Sequence, residues 1–130
     1  MAIPSLNPLA AIAGCAIDLG FTFAAGTALS IGYMSFRGVD FDTARLAPEF
    51  LLPLVSLGAL GTVIGSAIAA RIAKKNPLSH GLVVGGVSTA MGLLSLLGGG
   101  SSVPEPWNWI GVAAALPAGL LGALLGSSRN

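Results

Sequence analysis

Four long stretches of this 130-residue chain contain almost no charged residue. They run from about 9 to 34, 50 to 70, 81 to 97 and 107 to 125. A helix needs about 20 apolar residues to cross a hydrocarbon core about 30 Å thick, and each stretch is close to that length. The sequence therefore predicts an all-α fold: a single bundle of four transmembrane helices with no soluble domain.

The composition of the chain excludes several classes of protein. Hydrophobic residues make up 54% of the sequence and charged residues 8%, and the mean hydropathy is +0.86, which is too apolar for a water-soluble fold. A net charge of +1 is too small for a nucleic-acid-binding surface, so we expect no nucleic-acid partner. The single cysteine and single histidine exclude an intrachain disulfide and a zinc site built from these residue types.

The distribution of lysine and arginine predicts the orientation in the membrane. Arg71, Lys74 and Lys75 lie between the second and third stretches, and Arg129 lies near the C-terminus. Short loops rich in these residues stay in the cytoplasm, so we expect both termini there, in a bacterial inner membrane. Aromatic rings favour the headgroup region, and most of them lie at the opposite ends of the stretches. These aromatic residues are Tyr33, Phe36, Phe41, Phe50, Trp107 and Trp109.

The abundance of glycine predicts how the helices pack. Lipid tails are as apolar as leucine, so helices in a bilayer associate where small residues let their backbones approach. Small residues recur every three or four positions in each stretch, which places them on one face of each helix. We therefore expect a close-packed bundle. The glycines assigned to the packing faces are Gly14, Gly26, Gly58, Gly61, Gly65, Gly81, Gly85, Gly92, Gly119 and Gly122.

Asp18 is the one acidic residue inside a stretch, and no other stretch supplies a charged partner. It could be a proton-binding or cation-binding carboxyl, because ionisable residues within a membrane commonly mark functional sites. Alternatively, it could stay protonated and hold helices together through hydrogen bonds to Thr22, Ser88 or a backbone carbonyl. Steps of four residues place it in the small and polar stripe of Gly14, Asp18, Thr22, Gly26 and Ser30.

His80 directly precedes the third stretch, beside the basic turn. An imidazole at a membrane edge can ligate a tetrapyrrole pigment or titrate near neutrality, and His80 is the one candidate for such a contact. We expect instead an interfacial side chain near the lipid headgroups. The sequence predicts no cofactor other than bound lipid.

The acidic residues of the first loop predict local structure rather than a metal site. Asp40 and Asp42 have few further oxygen ligands available, so we expect no bound metal. Asp42 is typical of an N-cap, here for a short helix from Thr43 to Leu46, and Pro48 is typical of a first helical turn.

These features favour a non-enzymatic function. The loops carry no soluble domain, and no acid, base and nucleophile occur at a spacing that would bring them together. We expect an accessory or interaction subunit of a larger membrane complex or a homo-oligomer, whose partners are lipid and other membrane subunits or further copies of itself. The alternative is a small transporter or channel subunit that uses Asp18.

Overall fold

The computed structural model describes residues 5–99 and 103–128. Arg129, which contributed to the predicted orientation, lies outside these ranges. Four of the helices are long and apolar enough to cross a membrane, which confirms the predicted all-α four-helix membrane bundle. Within the described ranges there is no strand, and the helices are α1 (Pro8–Arg37), α2 (Phe41–Ala44), α3 (Pro48–Ala73), α4 (Pro77–Leu97) and α5 (Trp107–Ser127).

The membrane-spanning helices extend a few residues beyond the charge-free stretches, because local signals set their ends. Proline occupies the first turn of α1, α3 and α4, where a missing backbone N–H costs no hydrogen bond. Gly38 ends α1 with a left-handed φ of 64°, which glycine adopts without strain. As a result Glu49 lies in the first turn of α3, whereas Arg37 and Arg71 lie in last turns, and each charge opposes the helix dipole favourably.

The short helix α2 differs from the prediction. Asp40, not Asp42, is its N-cap, and the helix begins at Phe41 rather than Thr43. The Thr43 backbone N–H donates to Asp40 at 2.8 Å, and this hydrogen bond lowers the pKa of the Asp40 carboxyl. Asp42 lies in the first turn and pairs instead with Arg45 at 3.0 Å. Asp40 precedes the helix and its carboxyl reaches an N–H three residues ahead, which is the geometry of an N-cap, whereas Asp42 is already helical.

The bundle has two chemically different ends. The aromatic end contains the last turns of α1 and α4 and the first turns of α3 and α5. The basic end contains the first turns of α1 and α4 and the last turns of α3 and α5, with Arg71, Lys74 and Lys75 exposed. α3 packs against all three other long helices, α5 also packs against α4, and α1 lies mainly on α3 and touches α4 sparsely.

A polar and aromatic cluster joins α1 to α3 at the aromatic end. Tyr33 and Arg37 both donate hydrogen bonds to Glu49, at 3.1 and 3.3 Å. The Tyr33 ring also packs against the buried ring of Phe50, with centroids 5.2 Å apart. The last turn of α1 is therefore attached directly to the first turn of α3.

Glycines bring the helix backbones into contact at the basic end. A Cβ atom built on Gly81 would lie 2.5 Å from the Gly119 carbonyl oxygen, and a Cβ on Gly119 would lie equally close to the Gly81 oxygen. A Cβ on Gly14 would lie 2.8 Å from the carbonyl oxygen of Gly65. No side chain fits at such separations, so these glycines allow α1 to contact α3 and α4 to contact α5. A Cβ would also lie within 3 Å of backbone or Cβ atoms of a neighbouring helix at Gly65, Gly85, Gly122 and Gly126.

The helices are further apart toward the aromatic end. A Cβ on Gly26 would lie 3.5 Å from its nearest neighbour, and one on Gly58 or Gly111 would lie 3.9 Å away, which are ordinary van der Waals distances. A Cβ on Gly92 would lie 2.7 Å from the end of the Val112 side chain and 4.0 Å from the Val112 backbone. The bundle is thus closed by backbone contacts at the basic end and is looser at the aromatic end.

This difference predicts which glycines tolerate a methyl group. Gly65→Ala and Gly119→Ala force backbones apart, and overpacking of this kind costs about 1–3 kcal/mol. Gly20→Ala and Gly86→Ala are matched controls, because a Cβ at either position has no neighbour within 4 Å. We expect the controls to keep or raise the melting temperature in detergent, since alanine is the better helix former by about 1 kcal/mol. Equal melting temperatures for all four variants would contradict the close approach.

Candidate functional site

Asp18 lies buried near the middle of the bundle. It is about 15 Å along the α1 axis from Pro8, which is half of a hydrocarbon core about 30 Å thick. The residue is only 3% exposed. Both ion pairs among the described residues lie toward the aromatic end, and neither includes Asp18. The carboxyl group therefore has no fixed cationic partner in the part of the chain that the structure describes.

Hydroxyl groups from three helices surround this carboxyl. Thr62 Oγ1 of α3 lies 3.2 Å from Asp18 Oδ1 and 3.1 Å from Oδ2. The Ser88 hydroxyl of α4 donates a hydrogen bond to Oδ2, and Thr22 Oγ1 of α1 lies 3.4 Å from Oδ1. Thr22 and Ser88 are partners that the sequence suggested, whereas Thr62 was missed. A signal for Thr62 was present, because it follows Gly58 by one helical turn within the small-residue stripe of α3.

Two glycines of α3 make the space that the carboxyl occupies. A Cβ on Gly61 would lie 3.1 Å from Asp18 Oδ1, and one on Gly65 would lie 2.9 Å from the Cβ of Asp18. The glycines that let α3 pack closely on α1 therefore also leave space for the Asp18 side chain.

The Thr62 hydroxyl has three acceptor oxygens within hydrogen-bond distance but only one hydrogen to donate. Its oxygen lies within hydrogen-bond distance of both Asp18 oxygens and also 3.2 Å from the Gly58 carbonyl oxygen. A hydroxyl has one hydrogen and two lone pairs. When Thr62 donates to Gly58, its lone pairs are left for the Asp18 carboxyl. Two oxygens that face each other in this way attract only when a proton or a cation lies between them.

A cavity of about 260 Å³ connects Asp18 with the aromatic end. All four long helices contribute to its wall, which is largely apolar. On α5 the wall runs from Trp107 to Ala115, about 12 Å along that helix. Leu19 of α1 and Met91 of α4 also line the cavity and are 41% and 48% exposed, so its wall reaches the outer surface where α1 and α4 are in sparse contact. Asp18, Thr22, Thr62 and Ser88 form the polar end of this cavity.

His80 lies in the first turn of α4 at the basic end, and its side chain is buried inside the bundle rather than exposed to the lipid headgroups. Its side chain is fully buried, because it packs between the starts of α1 and α4. Its Nε2 accepts a hydrogen bond from the Asn7 backbone N–H at 3.0 Å, and its Nδ1 lies 3.0 Å from the Asn76 carbonyl oxygen. These partners require the neutral tautomer with hydrogen on Nδ1. Both ring nitrogens are therefore engaged by the protein, and the contact ties α1 to α4.

The remaining candidate residues lie at the two ends of the bundle. Tyr33 is in the last turns of α1, and Trp107 and Trp109 are in the first turn of α5, with Trp109 half exposed.

Cys15 is a half-buried free thiol about one turn before Asp18 on α1.

Comparison with family models, with curated proteins and with solved structures finds no match to this chain.

The hydroxyl cluster predicts a difference between two threonines. Thr62→Val removes a hydrogen-bonding partner of Asp18 without a large change in shape, and hydrogen bonds between transmembrane helices contribute about 0.6 kcal/mol on average and up to about 1.7 kcal/mol. Thr89→Val is the matched control, because Thr89 Oγ1 donates at 2.8 Å to Gly85 within its own helix. We expect the Thr62 variant to unfold at a lower denaturant concentration than the Thr89 variant. Equal stability would show that Thr62 contributes nothing to the cluster.

Proposed function

We propose that this protein is a small, non-enzymatic membrane transporter, or the cation-binding subunit of one, in which Asp18 binds and releases one positive charge. The observation that supports this proposal most strongly is that the Asp18 carboxyl lies at the end of a cavity bounded by all four long helices. A carboxyl that only joined helices would need its hydroxyl partners but no such cavity.

The absence of a fixed counter-ion supports exchange at Asp18. An ionised carboxylate is costly in a medium of low dielectric constant, so the group must take up a proton or a mobile cation. Neither ion pair of the described residues neutralises Asp18, and its polar contacts are neutral hydroxyls. The charge that neutralises Asp18 is therefore a proton or a mobile cation rather than a lysine or arginine of the described residues.

The unequal packing of the two ends suggests how access is controlled. The cavity extends toward the aromatic end, whereas backbone contacts such as Gly14 with Gly65 close the basic end. Transport requires the opposite arrangement as well, in which the basic end opens and the aromatic end closes. We propose α1 as the moving element, because it carries Asp18, packs mainly on α3 and touches α4 sparsely.

For the orientation, we propose that the basic end faces the cytoplasm of a bacterial cell, so that the cavity is accessible from the opposite side. The asymmetry of lysine and arginine supports this assignment. Asn76→Cys and Glu105→Cys, each in a Cys15→Ser background, place single thiols on either side of α4, just before the start of α4 and just before the start of α5. A membrane-impermeant maleimide is expected to label Glu105→Cys in intact cells and Asn76→Cys only after permeabilisation. Labelling of both positions from the same side would contradict a membrane-spanning α4.

A flux assay tests the transporter proposal directly. Purified protein is reconstituted into vesicles that contain a pH-sensitive dye, and gradients of Na⁺, K⁺ and tetramethylammonium are imposed in separate runs. We expect at least one cation gradient to drive a proton movement that Asp18→Asn reduces to the level of protein-free vesicles. Asn retains the size and most of the hydrogen-bonding capacity of a protonated Asp, so this variant is expected to fold.

The flux assay together with purification from the native membrane tests the accessory-subunit function that the sequence favoured. Two results together would favour the accessory function over transport. The protein would be inactive in every gradient, and it would co-purify from its native membrane at fixed stoichiometry with a larger complex.

A further inference from the structure

We infer that the cluster around Asp18 binds a dehydrated Na⁺ ion in competition with a proton. The ligands are the Asp18 carboxylate and the hydroxyl oxygens of Thr22, Thr62 and Ser88. This inference rests on the proposed exchange of a positive charge at Asp18, and it specifies the chemical nature of the cation.

The donor atoms of the cluster are all oxygens. Two belong to the carboxylate, and the other three are hydroxyl oxygens from α1, α3 and α4. Hard cations prefer such ligands. A hydroxyl accepts as well as donates, so it presents a lone pair to a cation once its hydrogen turns elsewhere. For Thr62 the alternative acceptor is already in place, namely the Gly58 carbonyl oxygen at 3.2 Å.

The spacing between the two threonine hydroxyls and the carboxylate fits a Na⁺ ion, and the Ser88 hydroxyl, which now donates to Oδ2, must turn its hydrogen away and move outward to join them. The two threonine hydroxyls lie 3.1 to 3.4 Å from the Asp18 oxygens. Two oxygens at this separation can both lie about 2.4 Å from one ion at nearly a right angle, and about 2.4 Å is the bond length of Ca²⁺, whose radius is close to that of Na⁺. The larger K⁺ needs longer bonds and hence wider oxygen separations. An organic ammonium carries carbon substituents on its nitrogen, so the carboxylate and all three hydroxyl oxygens cannot approach that nitrogen together as they can a bare ion.

The charge of the site selects a monovalent ion. A single carboxylate with one Na⁺ or one proton is neutral, whereas a divalent cation would leave a positive charge in the hydrocarbon core. No group of three His, Cys, Asp or Glu side chains that could hold a metal occurs among the described residues. Among the described residues that line the cavity, Asp18 is also the one titratable residue, and the nearest other titratable group on α1 is the Cys15 thiol. Proton and Na⁺ therefore compete for the same carboxylate.

The cavity provides a route for the ion. A volume of about 260 Å³ accommodates roughly eight water molecules at about 30 Å³ each. The ion can thus keep part of its hydration shell until it reaches the polar end. Because the walls are largely apolar, the oxygens that replace its last water molecules are those of the Asp18 cluster.

Carbodiimide modification tests this inference. Dicyclohexylcarbodiimide partitions into membranes and modifies protonated carboxyl groups, and mass spectrometry of the Asp18 peptide measures the rate. Bound Na⁺ excludes the proton, so we expect Na⁺ at about ten times its Kd to slow the modification about tenfold. K⁺ and tetramethylammonium at equal ionic strength are expected to leave the rate unchanged. The protection by Na⁺ is expected to weaken as the pH is lowered, because protons then displace the ion.

Three variants identify the ligands. Ser88→Ala and Thr62→Val retain the reactive carboxyl but lose hydroxyl ligands, so modification of Asp18 should continue while Na⁺ protects it less. Thr89→Val is the control with full protection, since its hydroxyl bonds within α4. Should the Thr62 variant fail to fold, the Ser88 variant carries the test.

The possible results separate this inference from the proposed function. Modification of Asp18 that depends on pH but not on Na⁺ overturns the Na⁺ site and leaves a proton-exchanging carboxyl. Protection by tetramethylammonium instead of Na⁺ also overturns it, in favour of an organic cation. An Asp18 that is not modified at any pH, in protein that remains folded, contradicts both the Na⁺ site and the exchange of charge at this residue.

Discussion

Direct contact between helix backbones holds this bundle together. Burial of leucine against leucine contributes little in a bilayer, so dispersion at close range must provide most of the attraction. The contacts of Gly14 with Gly65 and of Gly81 with Gly119 provide it, and both lie in the half of the molecule nearer the basic end. Because the closest approach is confined to one half, the other half can contain a cavity without loss of the fold.

The position of Asp18 follows from the same contacts. Gly61 and Gly65 have no side chains, so α3 approaches α1 closely enough for the Thr62 hydroxyl to reach both carboxyl oxygens. Ser88 reaches the carboxyl from α4. The site therefore lies where the closed half of the bundle meets the open half, and a change in the packing of α1 alters both the access to the carboxyl and its set of partners.

The sequence predicts some of these features and not others. The charge-free stretches predict the four spans because crossing a bilayer imposes a minimum apolar length. Periodicity identifies the face on which Gly65 or Asp18 lies, but it does not state which helix that face meets. Thr62 was missed for this reason, since its importance depends on α3 facing α1. The burial of His80 and the cavity were missed as well. Both depend on the crossing angles between helices, which set how far two helices diverge along their lengths, and the sequence of a single helix does not specify those angles.

The composition of the Asp18 cluster has a consequence for the biogenesis of the protein. During synthesis α1 enters the membrane before α3 and α4 exist, and Thr22 is then the one hydroxyl of the cluster present beside the carboxyl. Asp at the centre of an inserting helix costs about 2.5–3.5 kcal/mol, which the apolar remainder of α1 must offset alone. Thr62 and Ser88 arrive with the later helices. The first helix thus inserts while Asp18 lacks two of its three hydroxyl partners. When α3 and α4 supply them, part of the insertion cost is recovered, and this gain favours the association of α1 with these two helices.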